Sequence, residues 1–184
     1  MNDDTRSRLL RAAATLFAES GERGASVRDI CNLAGANPGA VSYHFGGKRQ
    51  LYRAVLRRAA ERLSAPLGEA DASPADLARH LLRRLRVDTE STRLLLRDIA
   101  SGGQIASEVL EPTLRLAVEE LRARVGLGDS PADTVRVRTL FLRLAAPVLT
   151  LAAVGPLLAP ALDLDPSDPE STLDRILEGL AVEA

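Results

Sequence analysis

The chain has 184 residues, 3% of them aromatic and none tryptophan, with a formal net charge of −1; that length can bury a sizeable core in one or two domains. A composition rich in Leu, Ala, Arg and Glu favours helices over sheets. The lone Cys31 excludes an internal disulfide and a cysteine-rich zinc site, and two distant histidines without a phosphate loop, nucleophile elbow or metal-ligand spacing give no support to an enzyme.

The total charge hides an asymmetry. Residues 1–62 hold 11 basic and 6 acidic side chains, whereas residues 63–184 hold 13 and 19. A basic front on an acidic body suits a head that binds a polyanion, with ordinary scatter of surface charge as the alternative. The opening MNDDTRSR has no apolar core, so no signal peptide is expected and the cytoplasm is the expected location.

In chain order, Asp3, Asp4 or Thr5 can cap a first helix in which Leu9, Leu10, Ala13, Leu16 and Phe17 recur every three or four residues. Ser20 and Gly21 are expected to stop it. Arg6, Arg8 and Arg11 lie largely off the apolar stripe and read as a solvated face. Ser26 then stands three residues before Asp29, a start in which the serine oxygen accepts from an orphan amide and the aspartate sits at the positive helix end. Ile30, Leu33 and Ala34 are the expected buried face of this short helix, with Cys31 a small buried neighbour, and Gly35 ends it.

Asn37 and Pro38 open the next helix, a side-chain cap followed by a residue with no amide to lose. Val41 and Phe45 point one way. The other face carries Gly39, Ala40, Ser42, Tyr43 and His44, small at the front and hydrogen-bonding at the back, where a solvated helix would carry Lys and Glu. Two short helices with glycine in the turn between them match the helix-turn-helix plan, whose second helix enters the major groove. Gly39 and Ala40 would let that helix approach base edges, while Tyr43, His44 and Lys48 can reach phosphate oxygens. For Tyr43 a core aromatic role is the alternative. For Lys48 the alternative is a solvated lysine, although a cation at a helix N-terminus is disfavoured until an anion arrives.

Residues 11–56, in their main part AAATLFAESGERGASVRDICNLAGANPGAVSYHFGGKRQLYRAVL, resemble the N-terminal DNA-binding domain of TetR-family transcriptional regulators. The likeness lies in the helix order, the Gly21 to Gly24 turn, the Ser26-Val27-Arg28-Asp29-Ile30 helix start, and Tyr43-His44-Phe45 followed by Lys48 and Leu51. It implies that Ser26, Tyr43 and Lys48, supported by His44, hold phosphates. It also implies that Arg28, Asn37, Gly39, Ala40 and Ser42 lie at or near base edges. Where family members often place a base-reading side chain, this sequence has Gly39 and Ala40, which shifts readout toward Arg28, Asn37 and groove shape.

After Gly46 and Gly47, a fourth helix starts near Lys48 with Leu51, Tyr52, Val55, Leu56 and Ala59 on one side, and is expected to end around Pro66 and Gly68. Residues 66–74 are the expected boundary. The domains read as a helix-turn-helix domain over 1–48, a connecting helix over 49–66, and a helical effector-binding and dimerisation body over 67–184. The word Ser-Pro-Ala-Asp starts helices at Ser73 and again at Ser130. Between them lie a leucine-rich stretch around residues 94–99 and a long helix near residues 105–125 carrying Val109, Leu114, Val118 and Leu121, with Pro112 expected to bend it or to lie in a short break near its start.

The last two helices, expected over 132–154 and 170–182, carry the most continuous apolar surface. Residues 144–162 are uncharged and long enough to be a membrane candidate, but Pro147, Gly155, Pro156 and Pro160 interrupt them, and a subunit interface is the preferred reading. Two copies packed through these helices would form a four-helix contact. The resemblance implies the same homodimer, a palindromic double-stranded DNA operator and a small-molecule effector, with no cofactor.

Residues from LLLRD onward loosely resemble the C-terminal domain of CecR-like members of that family. Arg97 in this run, turned inward, could meet an anionic ligand or pair with a carboxylate of another helix. The expected fold is all-α, a three-helix helix-turn-helix domain plus a helical bundle. The expected function is a ligand-responsive regulator, a repressor by the resemblance; a helical small-molecule or lipid carrier that does not bind DNA is the alternative.

Overall fold

The computed structural model describes residues 2–63 and 73–182, and the described residues form helices without a strand. In order these are α1 (Asn2–Gly24), α2 (Val27–Ala34), α3 (Gly39–Phe45), α4 (Lys48–Leu63), α5 (Pro74–Val87), α6 (Thr89–Ala100), α7 (Gln104–Arg124), α8 (Pro131–Leu162) and α9 (Pro169–Val182). The all-α expectation holds. The expected end of the fourth helix near Pro66 and Gly68, and most of the expected boundary, lie outside the described residues.

The chain divides into two compact units that are not contiguous in sequence: residues 1–65 with 88–111, and residues 66–87 with 112–184. In the first, α1 packs against α2, α4 and α6, and α4 packs against α6. Leu9, Ala13 and Phe17 of α1, Ile30 and Cys31 of α2, Val41 of α3, Leu51 and Leu56 of α4, and Leu94 of α6 make its core. Phe17 meets Tyr52 edge to face with ring centroids 4.9 Å apart, a geometry that adds about 0.5–1.5 kcal/mol to the burial of two rings. At Gly21 the backbone turns to φ 73° and ψ 177°, a conformation left to glycine. The expected stop of the first helix is therefore a break, after which the chain winds on to Gly24.

Two expectations about the small core are corrected. Leu33 is 58% exposed, and the buried face of α2 is Ile30, Cys31 and Ala34. At about 100° per residue the positions 27, 30, 31 and 34 share one arc, and Leu33 falls about 110° from its centre. Phe45 is half-buried, with the Arg6 guanidinium 5.2 Å from its ring centroid; cation and aromatic face thereby shield each other from water.

In the second unit, α5 packs on α8 and α9, and α8 on α9. Leu82, Val137, Val148 and Leu173 are its fully buried side chains. Arg79 reaches Asp174 at 2.6 Å, and Arg83 grips the two carboxylate oxygens of Glu170 with its Nε and one Nη. The Arg83 hydrogen bond lowers the Glu170 carboxyl below its ordinary value. The two Ser-Pro-Ala-Asp words behave alike, since Ser73 accepts from the Asp76 amide at 3.2 Å and Ser130 from the Asp133 amide at 3.1 Å. Of the apolar positions expected along α7, Leu121 is buried, whereas Leu114 is exposed.

The penultimate helix is longer than expected. Instead of ending near residue 154 at a Gly155 break, α8 runs through Pro147, Pro156 and Pro160 and stops at Asp163, a left-handed residue whose amide returns to the Ala159 carbonyl. A proline removes one ladder bond and crowds one carbonyl. Pro156 and Pro160 stand four apart and exposed, where water can hydrate the carbonyls they leave unpaired.

Candidate nucleic-acid interface

The side chains around α3 are held by local hydrogen bonds on both flanks. Ser26 Oγ accepts from the Asp29 amide at 3.0 Å and donates to the Asp29 carboxylate. Gly35, left-handed at φ 59°, closes α2 with its amide on the Asn32 carbonyl, and the Ala36 amide returns to Cys31 at 2.9 Å. Asn37 Oδ1 then accepts from the Gly39 amide at 2.9 Å while Pro38 is already helical. This is the expected order of cap and first-turn proline. Gly46, left-handed at φ 79°, ends α3 by donating to Ser42, and α4 begins two residues later.

One residue anchors α3: Val41 is buried, at 1% exposure. Gly39, Ser42 and Tyr43 are exposed, and Ala40 and His44 are half-buried. Tyr43 is 75% exposed, which removes its alternative reading as a core aromatic. Its ring meets His44 edge to face at 4.9 Å. A Cβ added at Gly39 would meet only Asn37 Oδ1, at an ordinary 3.5 Å. The protein itself has room for a side chain there, so a glycine matters only if something outside approaches the backbone.

The remaining predicted residues flank this face. Arg28 and Asn37 are exposed, and Lys48 is half-buried on the first turn of α4. The structure qualifies two of them. The Ser26 hydroxyl proton already serves Asp29, so an anion at this corner would meet the unpaired amides of the first turn of α2. Asn37 spends its carbonyl oxygen on the cap and keeps its amide nitrogen free to donate. The spacing alone did not show that Arg6 lies over Phe45 at the end of α3, nor that Arg49 is exposed beside Lys48.

Arg97 does not turn inward. It is exposed on α6, and its neighbour Asp98 is the buried one, at 8% exposure. The Asp98 carboxylate accepts from the Ala106 amide at 2.7 Å and from the Tyr52 hydroxyl. Burial and this carboxylate raise the Tyr52 phenol well above its ordinary value.

Residues 9–55 match the family model of the bacterial regulatory proteins of the tetR family. The transcriptional repressor AcnR of Corynebacterium efficiens is 36% identical over 66 residues, 36% of this chain and 35% of that protein. The transcriptional repressor Rv3405c of Mycobacterium tuberculosis is 38% identical over 82 residues, 45% of this chain and 43% of that one. The chain therefore spans well under half the length of these curated relatives. Solved structures extend the likeness to nearly the whole chain. A transcriptional regulator from Streptomyces coelicolor, SCO4942, aligns with a TM-score of 0.70 at 27% identity, over 96% of this chain and 97% of that one. One from Rhodococcus aligns at 0.67 and 28%, over 94% of each. The sequence match on the head and the structural match along the chain agree: residues 9–55 carry the domain of the tetR family of bacterial regulatory proteins, and the whole chain shares the fold of solved transcriptional regulators.

Proposed function

We propose that the chain is a DNA-binding transcriptional repressor that occupies a palindromic operator as a homodimer and is released by a small-molecule effector. The observation that supports this reading is the α3 surface: a helix of under two turns, anchored by Val41, holding Gly39, Ser42 and Tyr43 out to solvent. Gly39 and Ala40 admit the helix to the groove, Arg28, Asn37 and Ser42 lie at base edges, and Tyr43, His44, Lys48 and the amides behind Ser26 take phosphates. In this reading residues 1–48 read DNA, residues 49–66 connect, and residues 67–184 dimerise and bind the effector in the cytoplasm.

For the effector, an apolar cleft lined by Leu77, Leu81, Leu121, Phe141 and Leu144 has a volume of about 60 Å³. Small-molecule sites usually occupy about 300–1,000 Å³, so an effector of that size has to open the cleft. Such an opening is the kind of change that can alter the spacing of two heads. Both relatives described above are named as transcriptional repressors.

The test is to capture fragments of the source genome on the full chain, with and without metabolite extract, and to measure the retained duplexes by fluorescence anisotropy. Discrete fragments, lost when extract is added, are the expected result. Tyr43→Ala and Lys48→Ala should weaken binding to all duplexes, each reducing the salt slope by about 1, while Arg28→Ala should also loosen sequence preference. Unchanged salt slopes would show the phosphate contacts to be misplaced. A chain that retains no fragment yet binds a small molecule would favour the carrier reading.

A further inference from the structure

Within the first unit, the end of α1, the start of α4, the end of α6 and the start of α7 surround a cavity of about 450 Å³, within the usual size of small-molecule sites. Three arginines from three helices line it: Arg23, Arg49 and Arg97. Arg49 donates to Gln104 at 3.1 Å. Among the described residues, the side chains of Arg23 and Arg97 have neither an ion pair nor a hydrogen bond.

Asp98 at the back of the cavity and Glu22 offset two of the three positive charges, so the lining keeps a net charge of +1. Asp98 already accepts from the Ala106 amide and the Tyr52 hydroxyl, and it is almost fully buried. Glu22 is the one other acidic group in the lining. The first amides of α7, at Gln104 and Ile105, have no partner within their own helix and add a partial positive charge. Gathering guanidinium groups around one concavity costs self-repulsion in the free protein, and a bound anion removes it. Guanidinium forks suit carboxylate and phosphate oxygens, which they can hold two at a time.

We infer that this cavity is a binding site for a compact multivalent oxyanion, a phosphate ester or a polycarboxylate, held by Arg23, Arg49 and Arg97. The site is separate from the α3 surface and from the apolar cleft of the second unit, and its occupation does not depend on DNA.

The test is isothermal titration calorimetry of the full chain, without DNA and at fixed ionic strength, with pyrophosphate as the phosphate probe and succinate as the carboxylate probe. Saturable binding of either at one site per chain is expected, and the probe that binds identifies the source. The double variant R23Q/R97Q should lose at least tenfold in affinity, whereas R97K should lose less. Both positions are exposed, so the unchanged helical circular dichroism of each variant can be verified first. Three results overturn the inference: no saturable heat with either probe, wild-type affinity in R23Q/R97Q, or loss of binding in R28Q, which would place the anion on the α3 side.

Discussion

Asp98→Ala should lower the stability of the chain by about 3 kcal/mol, because it leaves two buried donors, the Ala106 amide and the Tyr52 hydroxyl, without an acceptor. At about 2–4 °C per kcal/mol for a chain of this size, the melting temperature should fall by about 6–12 °C. Tyr52→Phe removes one donor together with its need and should cost less. The double variant should therefore be more stable than the sum of the single losses implies, which a double-mutant cycle in urea measures. Additive losses would mean that the two groups do not act as a pair. Tyr52 also sets an alkaline limit. Its folded form holds the phenol proton more tightly than the unfolded chain does, so the stability it contributes is complete below the ordinary tyrosine range near pH 10 and is lost as pH rises through the higher folded value. Tyr52→Phe should flatten that part of the stability profile.

This pair also shows where the sequence could be read and where it could not. Helix starts were legible because a cap is a local event: Ser26, Asn37, Ser73 and Ser130 each close a hydrogen bond with a residue two or three positions on. The helix ends at Gly35 and Gly46 were legible for the same reason, since left-handed φ selects glycine. The location of α6 was not legible. A leucine-rich dozen residues can cover any apolar face, and nothing local says that this one packs on α1 and α4, within the first unit.

A weaker signal was present at residues 91, 94, 95 and 98. They repeat at helical spacing and are all buried, so an aspartate on that stripe marks a carboxylate with partners inside. The adjacent Arg97, about 100° around the helix, is thereby turned outward. The contiguous fragment 1–62 leaves out α6, whose Leu94 and Leu95 are buried in this unit. Tests of the candidate DNA surface therefore belong on the full chain.

The second large effect is expected on α8. Val135, Thr139, Leu142, Ala146, Leu149, Ala153, Pro156 and Pro160 are all exposed and alternate at intervals of four and three, the spacing of a seam between two helices. Leu142 is 64% exposed and Leu149 46%. By length and composition α8 could also span a bilayer, but Val137, Val148 and Leu151 are buried within the second unit, and the exposed Val135, Leu142 and Leu149 lie on this stripe. In the proposed dimer the stripe meets its own copy about a two-fold axis, as an isologous contact requires. Leu142→Glu with Leu149→Glu places two carboxylates on each side of that axis. Sedimentation equilibrium should then show monomer at concentrations where the wild type is dimeric. Affinity for a full palindromic fragment should fall by about 10²–10⁴-fold, the loss of a linked second site, while binding to an isolated half-site stays within about twofold. Because both leucines are exposed within the chain, its helical content should survive, unlike that of Leu173→Glu, which puts a charge at a fully buried position. A variant that remains dimeric would move the interface to another face of the second unit.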